Sequence, residues 1–259
     1  MKIGLCAFLE KFKLFTPGIA DYIEIPLFDI ERTSWDSLKE HKAILDSLGL
    51  AAETSNGFLP GKDIMMCGEN YDVKKITDYS KRAFEKAELF DIKTFVFGSA
   101  SARNIAEGEN FEECLKQIDE GYFAASEAAK QFGVDIVLEP LNAKECNTLN
   151  TVAESADLVR RLNHPNLHLL VDYFHFSQEE NPDHNVIIAN SDIIRHVHIA
   201  HPVTRKAPKP GDGYDYSILK KALEEANYSG RISLEAIYDN DDYYNDVKNS
   251  ISFLRSVFN

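Results

Sequence analysis

Cysteine is scarce: Cys6, Cys67, Cys114 and Cys146 are the only four in 259 residues, and no two have CxxC spacing. That argues against both a disulfide framework and a zinc ribbon. No segment approaches the roughly 20 consecutive apolar residues needed to cross a bilayer. The apolar start, residues 1–8, is broken by Glu10 and Lys11, too short for a secretory h-region, so no membrane partner and a cytoplasmic location are expected. Cations are also few, with 28 Lys and Arg against 42 Asp and Glu and a net charge of −14. Duplex binding rests on clustered Lys and Arg, so nucleic acid is not expected as a partner, and a small ligand is. Phosphate-binding glycine loops are missing too. Gly98-Ser99-Ala100-Ser101-Ala102-Arg103 carries one glycine, and no Gly-Lys-Ser/Thr follows any strand-like run. There is no internal repeat, low-complexity tract or linker, which favours a single domain over residues 1–259.

What is present is a regular alternation. With 44% hydrophobic and 11% aromatic residues the chain can bury a sizeable core. Short β-rich runs are predicted at 2–8, 22–27, 49–55, 94–98, 135–141, 167–173, 193–200 and 231–237. Helical runs are predicted at 35–47, 73–90, 111–131, 151–162, 183–190, 216–227 and 243–257. Asn110 and Thr151 each precede a Glu by three residues, a helix-start pattern, and Gly49 and Gly133 stand where a helix needs a left-handed stop. Only the first unit is weak, because Pro17 and Gly18 allow residues 13–20 a short turn at most. Eight strands alternating with helices over this length predict an α/β fold, a (β/α)8 TIM barrel.

Four polar side chains stand at the ends of four successive strand-like runs: Glu139, Asp172, His198 and Glu235, spaced 33, 26 and 37 residues apart. In a barrel both strand faces are buried, so an ionised carboxylate there is costly unless paired or metal-bound. One such residue would read as a structural salt bridge; four at the C-terminal ends of consecutive strands predict one divalent cation with open coordination positions. Three carboxylates and an imidazole suit Mn²⁺, the favoured ion, with Mg²⁺, Co²⁺ or Zn²⁺ as alternatives.

Glu145 and His175 fall on loops just beyond strands 5 and 6, where they could hold substrate hydroxyls or orient ligands. Residues 204–216, basic with two prolines and two glycines, read as a lid that brings Arg205 to a polar or anionic substrate. Phe58 is expected to offer an aromatic wall. Glu24 reads either as a site residue or as a plain rim carboxylate, and His196 as a satisfied core histidine one layer below His198.

These residues resemble the xylose isomerase-like TIM-barrel superfamily, in its sugar (or sugar-phosphate) isomerase and epimerase branch. The resemblance spans nearly the whole chain. It is carried by Glu139 with Glu145, by Asp172-Tyr173-Phe174-His175, by His198 within His-Val-His, and by Glu235. Gly98-Ser99 with Arg103, and Arg205 with Gly211-Asp212-Gly213-Tyr214-Asp215-Tyr216, resemble loop patterns of that branch. It implies a carbohydrate substrate and proton transfer next to a carbonyl through an enediolate, with Glu139 and Glu235 as the two catalytic bases. His175 and Glu145 would fix hydroxyls, and Arg205 a terminal hydroxyl or phosphate. A metal-dependent dehydratase of keto-inositol type and a non-catalytic carbohydrate-binding barrel stay open as alternatives, as does a homodimer. Asn56 and the Gly98 region carry no histidine, against the trinuclear cluster of the related repair endonucleases.

Overall fold

The computed structural model describes residues 1–61, 63–238 and 242–259. Eight parallel strands close into a barrel in chain order: β1 (Lys2–Cys6), β2 (Tyr22–Glu24), β3 (Ala52–Ser55), β4 (Thr94–Phe97), β5 (Asp135–Leu138), β6 (Leu167–Asp172), β7 (Ile194–Ile199) and β8 (Arg231–Leu234). The seam between β1 and β8 pairs Lys2 with Arg231 and Leu5 with Leu234. The expected (β/α)8 TIM barrel is therefore present, with every predicted strand in place.

The ladders stop sooner than the apolar runs. β5 ends at Leu138 rather than 141, because Pro140 has no N–H to give and the chain peels away. β2 ends at Glu24, and Pro26 precedes a short helix, Leu27–Arg32. Early stopping has a consequence. Glu139 and Glu235 lie one residue past their ladders, where a side chain can turn into the mouth.

Most predicted helices hold, including Trp35–Ser47 with its predicted limits. Thr151 accepts from the Glu154 amide at 3.1 Å, and the Glu154 carboxylate accepts from the Thr151 amide at 3.2 Å. Gly133 ends Phe111–Phe132 at φ +63°. The first unit carries only a 3-10 helix, Leu9–Leu14. Ala100–Arg103 and Tyr173–Phe176, four residues each, were too short to show a periodicity of their own.

Two regions of core arise. Between strands and helices lies the larger, and Val96, Val137 and Leu170 form a separate apolar cluster on the opposite strand parity, which is the lumen. β1 leaves room in that lumen: a Cβ on Gly4 would sit 2.2 Å from the Tyr22 ring. Among the described residues, no helix is long and apolar enough to cross a membrane.

Phe58 belongs to the outer core and not to a site wall. It is fully buried, stacks on Phe97 at 4.1 Å between ring centroids, and meets Phe84 edge-on at 5.8 Å. The turn after β3 folds the ring back under the helices, where Phe97, Phe84 and Tyr79 surround it. Phe58→Ala should lower the unfolding free energy by about 3–5 kcal/mol in urea denaturation.

Candidate metal centre

β6 and β7 run side by side with Asp172 opposite His198, and β5 and β8 flank them, so the four strand ends meet. One ligand-type atom from each of Glu139, Asp172, His198 and Glu235 lies within 4.8 Å of the others. The His198 Nδ1 atom stands 3.4 Å from Glu139 Oε1, 3.7 Å from Glu235 Oε2 and 3.9 Å from Asp172 Oδ2. Neither His198 Nδ1 nor Glu139 Oε1, both buried, has a hydrogen-bond partner among the described residues. Three carboxylates and a ring nitrogen thus face one point.

The orientation of His198 is fixed from below. Its Nε2–H donates to Glu24 Oε1 at 2.7 Å, and His196 Nε2–H donates to Glu24 Oε2 at 2.7 Å. Thr54 and Ser233 hydroxyls add donations to Oε2 at 2.6 Å each, and the Tyr22 hydroxyl donates to Ser233 at 2.7 Å. Glu24 has no solvent exposure. Burial pushes its carboxyl up, but His198 and His196 outweigh that and hold it well below the usual range. The Glu24 carboxylate is therefore the acceptor that sets both rings. Histidine ligands commonly give their second N–H to a carboxylate in this way. His196 is a core histidine as expected, fully buried with Nε2 on Glu24, but it is only half satisfied, because its buried Nδ1 has no hydrogen-bond partner among the described residues.

Each carboxylate is aimed differently. Asp172 caps the short helix Tyr173–Phe176, with Oδ1 accepting from the Phe174 and His175 amides at 2.7 and 3.2 Å, which turns Oδ2 toward His198. Glu139 is admitted by Gly98, where an added Cβ would lie 2.2 Å from Glu139 Oε2. Its backbone carbonyl is held by the buried Arg103 at 3.0 Å. Glu235 accepts from Asn56 Nδ2 at 2.8 Å and from Arg205 Nη2 at 3.0 Å, and among the described residues it alone of the four is paired to an arginine.

Electrostatics follow from this crowding. Burial and neighbouring carboxylate charge raise Glu139 and Asp172. Burial would also raise Glu235, but His198 and Arg205 bring it down to about 2. Burial works against charge on His198, yet Glu24 and Glu235 hold its pKa well above the ordinary value. Without a metal ion, His198 as imidazolium and Arg205 supply the positive charge that three clustered carboxylates require.

The loop residues expected to touch substrate also converge. Arg205 Nη1 donates to both Glu145 oxygens at 3.1 and 3.2 Å, and its guanidinium lies 5.0 Å from the Phe174 ring centre. Arg205 holds φ +55°, an uncommon backbone state for a non-glycine residue. His175 is 1% exposed, and its Nδ1 accepts from the Asn142 amide and side chain at 3.1 and 2.7 Å. The proton is thereby left on Nε2, which is buried without a hydrogen-bond partner among the described residues and lies 3.9 Å from Asp172 Oδ2. Burial lowers the His175 pKa, keeping the ring neutral as a donor. Further along the same loop, residues 207–210 line a cavity with Asp246, Asn249 and Phe253 of the last helix, while Tyr214 packs against Tyr173.

Sequence reading left Glu24 undecided, named Gly98 and Asn56 without seeing that they support Glu139 and Glu235, and missed Asn142. His196 and His198 share one face of β7, and two lumen imidazoles need an acceptor, which is the signal that could have singled out Glu24.

The family model described as xylose isomerase-like TIM barrel matches residues 18–257. The chain belongs to that family. Members similar to it include a D-psicose 3-epimerase of Ruminiclostridium cellulolyticum, 24% identical over 228 residues, 83% of this chain and 73% of that protein. A ketose 3-epimerase of Arthrobacter globiformis is 25% identical over 231 residues, again 83% and 73%. Among solved structures, the apo 3-keto-D-glucoside 4-epimerase of E. coli superposes with a TM-score of 0.82 at 22% identity, covering 99% of both chains. A D-psicose 3-epimerase of Clostridium cellulolyticum H10 with D-tagatose gives 0.84 at 20%, covering 100% of this chain and 99% of that one. The xylose isomerase-like barrel here is thus covered along nearly its whole length.

Glu24 carries the testable weight. Its folded pKa lies below the unfolded value of about 4.3, so its contribution is complete above that pH and fades as pH falls toward the folded value. Glu24→Gln in the metal-free protein should cost about 3 kcal/mol at neutral pH. The gap from the parent should close below about pH 4 in urea titrations run across pH.

Proposed function

We propose that this protein is a divalent-metal-dependent sugar isomerase or epimerase that works by proton transfer beside a carbonyl. The observation that carries the reading is His198 Nδ1: buried, without a hydrogen-bond partner among the described residues, facing three carboxylates, with Nε2 committed to Glu24. That nitrogen faces three anions, so positive charge has to sit there, either the ring's own proton or a metal ion in its place. The residues present therefore fit a divalent ion held by Glu139, Asp172, His198 and Glu235, with Mn²⁺ our preferred species. When bound, such an ion supplies Lewis acidity and stabilises negative charge developing on a substrate oxygen.

The chain's own groups do the rest. Glu139 and Glu235 approach from strands three places apart around the barrel. One removes the proton next to the carbonyl, and the other returns a proton to the opposite face of the planar enediolate. His175 offers its Nε2–H, and Glu145 with Arg205 a paired donor and acceptor, to substrate hydroxyls. Arg205 is already shared between Glu145 and Glu235, and clustered carboxylates repel phosphate, so we favour a free sugar over a phosphorylated one. The sugar epimerases among the relatives support this class of reaction. A cytoplasmic location remains part of the same reading.

Two measurements test it. Incubated with a ketose panel in D₂O with Mn²⁺, the parent should exchange a carbon-bound hydrogen by NMR, and Glu139→Gln and Glu235→Gln should each slow this by at least about 100-fold. Exchange at the parent rate in either variant would sink the two-base scheme, and loss of water from the sugar would move the reading to a dehydratase. Calorimetry in buffers of different ionisation enthalpy should show Mn²⁺ binding release about one proton at neutral pH. Because His198 is charged below its raised pKa, affinity for the ion should weaken as pH falls.

A further inference from the structure

Cys6 is the last residue of β1 and pairs in register with Glu24 of β2, so the two side chains are neighbours on the lumen side of the barrel mouth. One ligand atom each of Cys6, Glu24 and His198 lies within 4.8 Å of the others. Cys6 also lines a cavity of about 250 Å³ beside Phe8, Phe28, Asn56 and Glu235, which gives an ion and solvent a way in. A thiolate, an imidazole and a carboxylate together suit a softer ion than the three carboxylates beyond them. Three protein ligands with a face toward a cavity leave the fourth position to solvent.

We propose that Cys6, Glu24 and His198 form a second cation site, for a thiophilic ion of the Zn²⁺ or Cd²⁺ type, that competes with the carboxylate site for His198. The competition follows from the ring's proton count. The ion takes the place of the Nε2–H now given to Glu24, and the Cys6 thiol releases its proton to solvent. A neutral imidazole bound through Nε2 must carry its remaining proton on Nδ1. That is the atom facing Glu139, Asp172 and Glu235, so a ring serving the softer ion turns an N–H, and no lone pair, toward the carboxylates. A thiophilic metal thereby expels the ion that catalysis needs, without touching Glu139, Asp172 or Glu235. The thiolate site stands independently of the proposed function; the competition rests on that reading of His198.

Cd²⁺ serves as the probe, added to Mn²⁺-loaded protein and to metal-free protein, with near-ultraviolet thiolate-to-metal absorption and free Mn²⁺ by EPR as readouts. In the parent, one Cd²⁺ per chain should produce the absorption and release the Mn²⁺. Cys6→Ser should bind Mn²⁺ like the parent, show no absorption, and need at least about tenfold more Cd²⁺ to release it. Cys67, Cys114 and Cys146, buried elsewhere, remain in both proteins as the internal control. Absorption that persists in Cys6→Ser, or Mn²⁺ release at equal Cd²⁺ from both proteins, overturns the proposal. Absorption with Mn²⁺ retained overturns the competition. A parent that fails to bind Mn²⁺ while still giving Cys6-dependent absorption when metal-free would count against the proposed function and in favour of this site.

Discussion

A single buried carboxylate organises this barrel's mouth. Glu24 accepts from two imidazoles and two hydroxyls with no exposure to solvent, so its charge is met entirely by protein donors. Four donors repay the desolvation that an isolated carboxylate could not survive. Their geometry also transmits information upward. By accepting the Nε2 proton of His198, Glu24 dictates which nitrogen faces the other three carboxylates. The placement of Glu139, Asp172 and Glu235 matters chemically only because that nitrogen is held still.

Around this centre the sequence uses different means to aim like groups. Asp172 is steered by two backbone amides, Glu139 by the missing side chain of Gly98 and the grip of Arg103 on its carbonyl, and Glu235 by Asn56 and Arg205. These supports differ in rigidity. Asp172 and Glu139 are buried, whereas the Glu235 side chain keeps 23% exposure and is held by a partner from a loop. The most exposed of the three carboxylates is thus the one tied to Arg205, the residue whose backbone already occupies a sparsely populated state.

The fold was legible because eight apolar runs and their helix stops keep a regular period, and burial on both faces gives barrel strands little ambiguity. Strand ends were less so, since the runs stay apolar past the point where Pro140 or Pro26 stops the ladder. For the site, Glu139, Asp172, His198 and Glu235 could be picked out as charges marooned in apolar strands, and the structure brings them together. Their supports could not. Asn56 and Asn142 are ordinary loop residues in sequence, and only the closed barrel brings Asn56 against Glu235, 179 positions away. Phe58 misled for a related reason: an aromatic after a strand can turn to the mouth or under the helices, and the stacking on Phe97 that settles it is a tertiary contact.

The Tyr22 ring, seated where Gly4 has no side chain, stoppers the barrel axis directly beneath Glu24. Val96, Val137 and Leu170 occupy the lumen as well, so its lower part is packed with apolar side chains. A ligand of the proposed site therefore approaches from the C-terminal ends of the strands, the face on which Cys6 and Glu235 line a shared cavity.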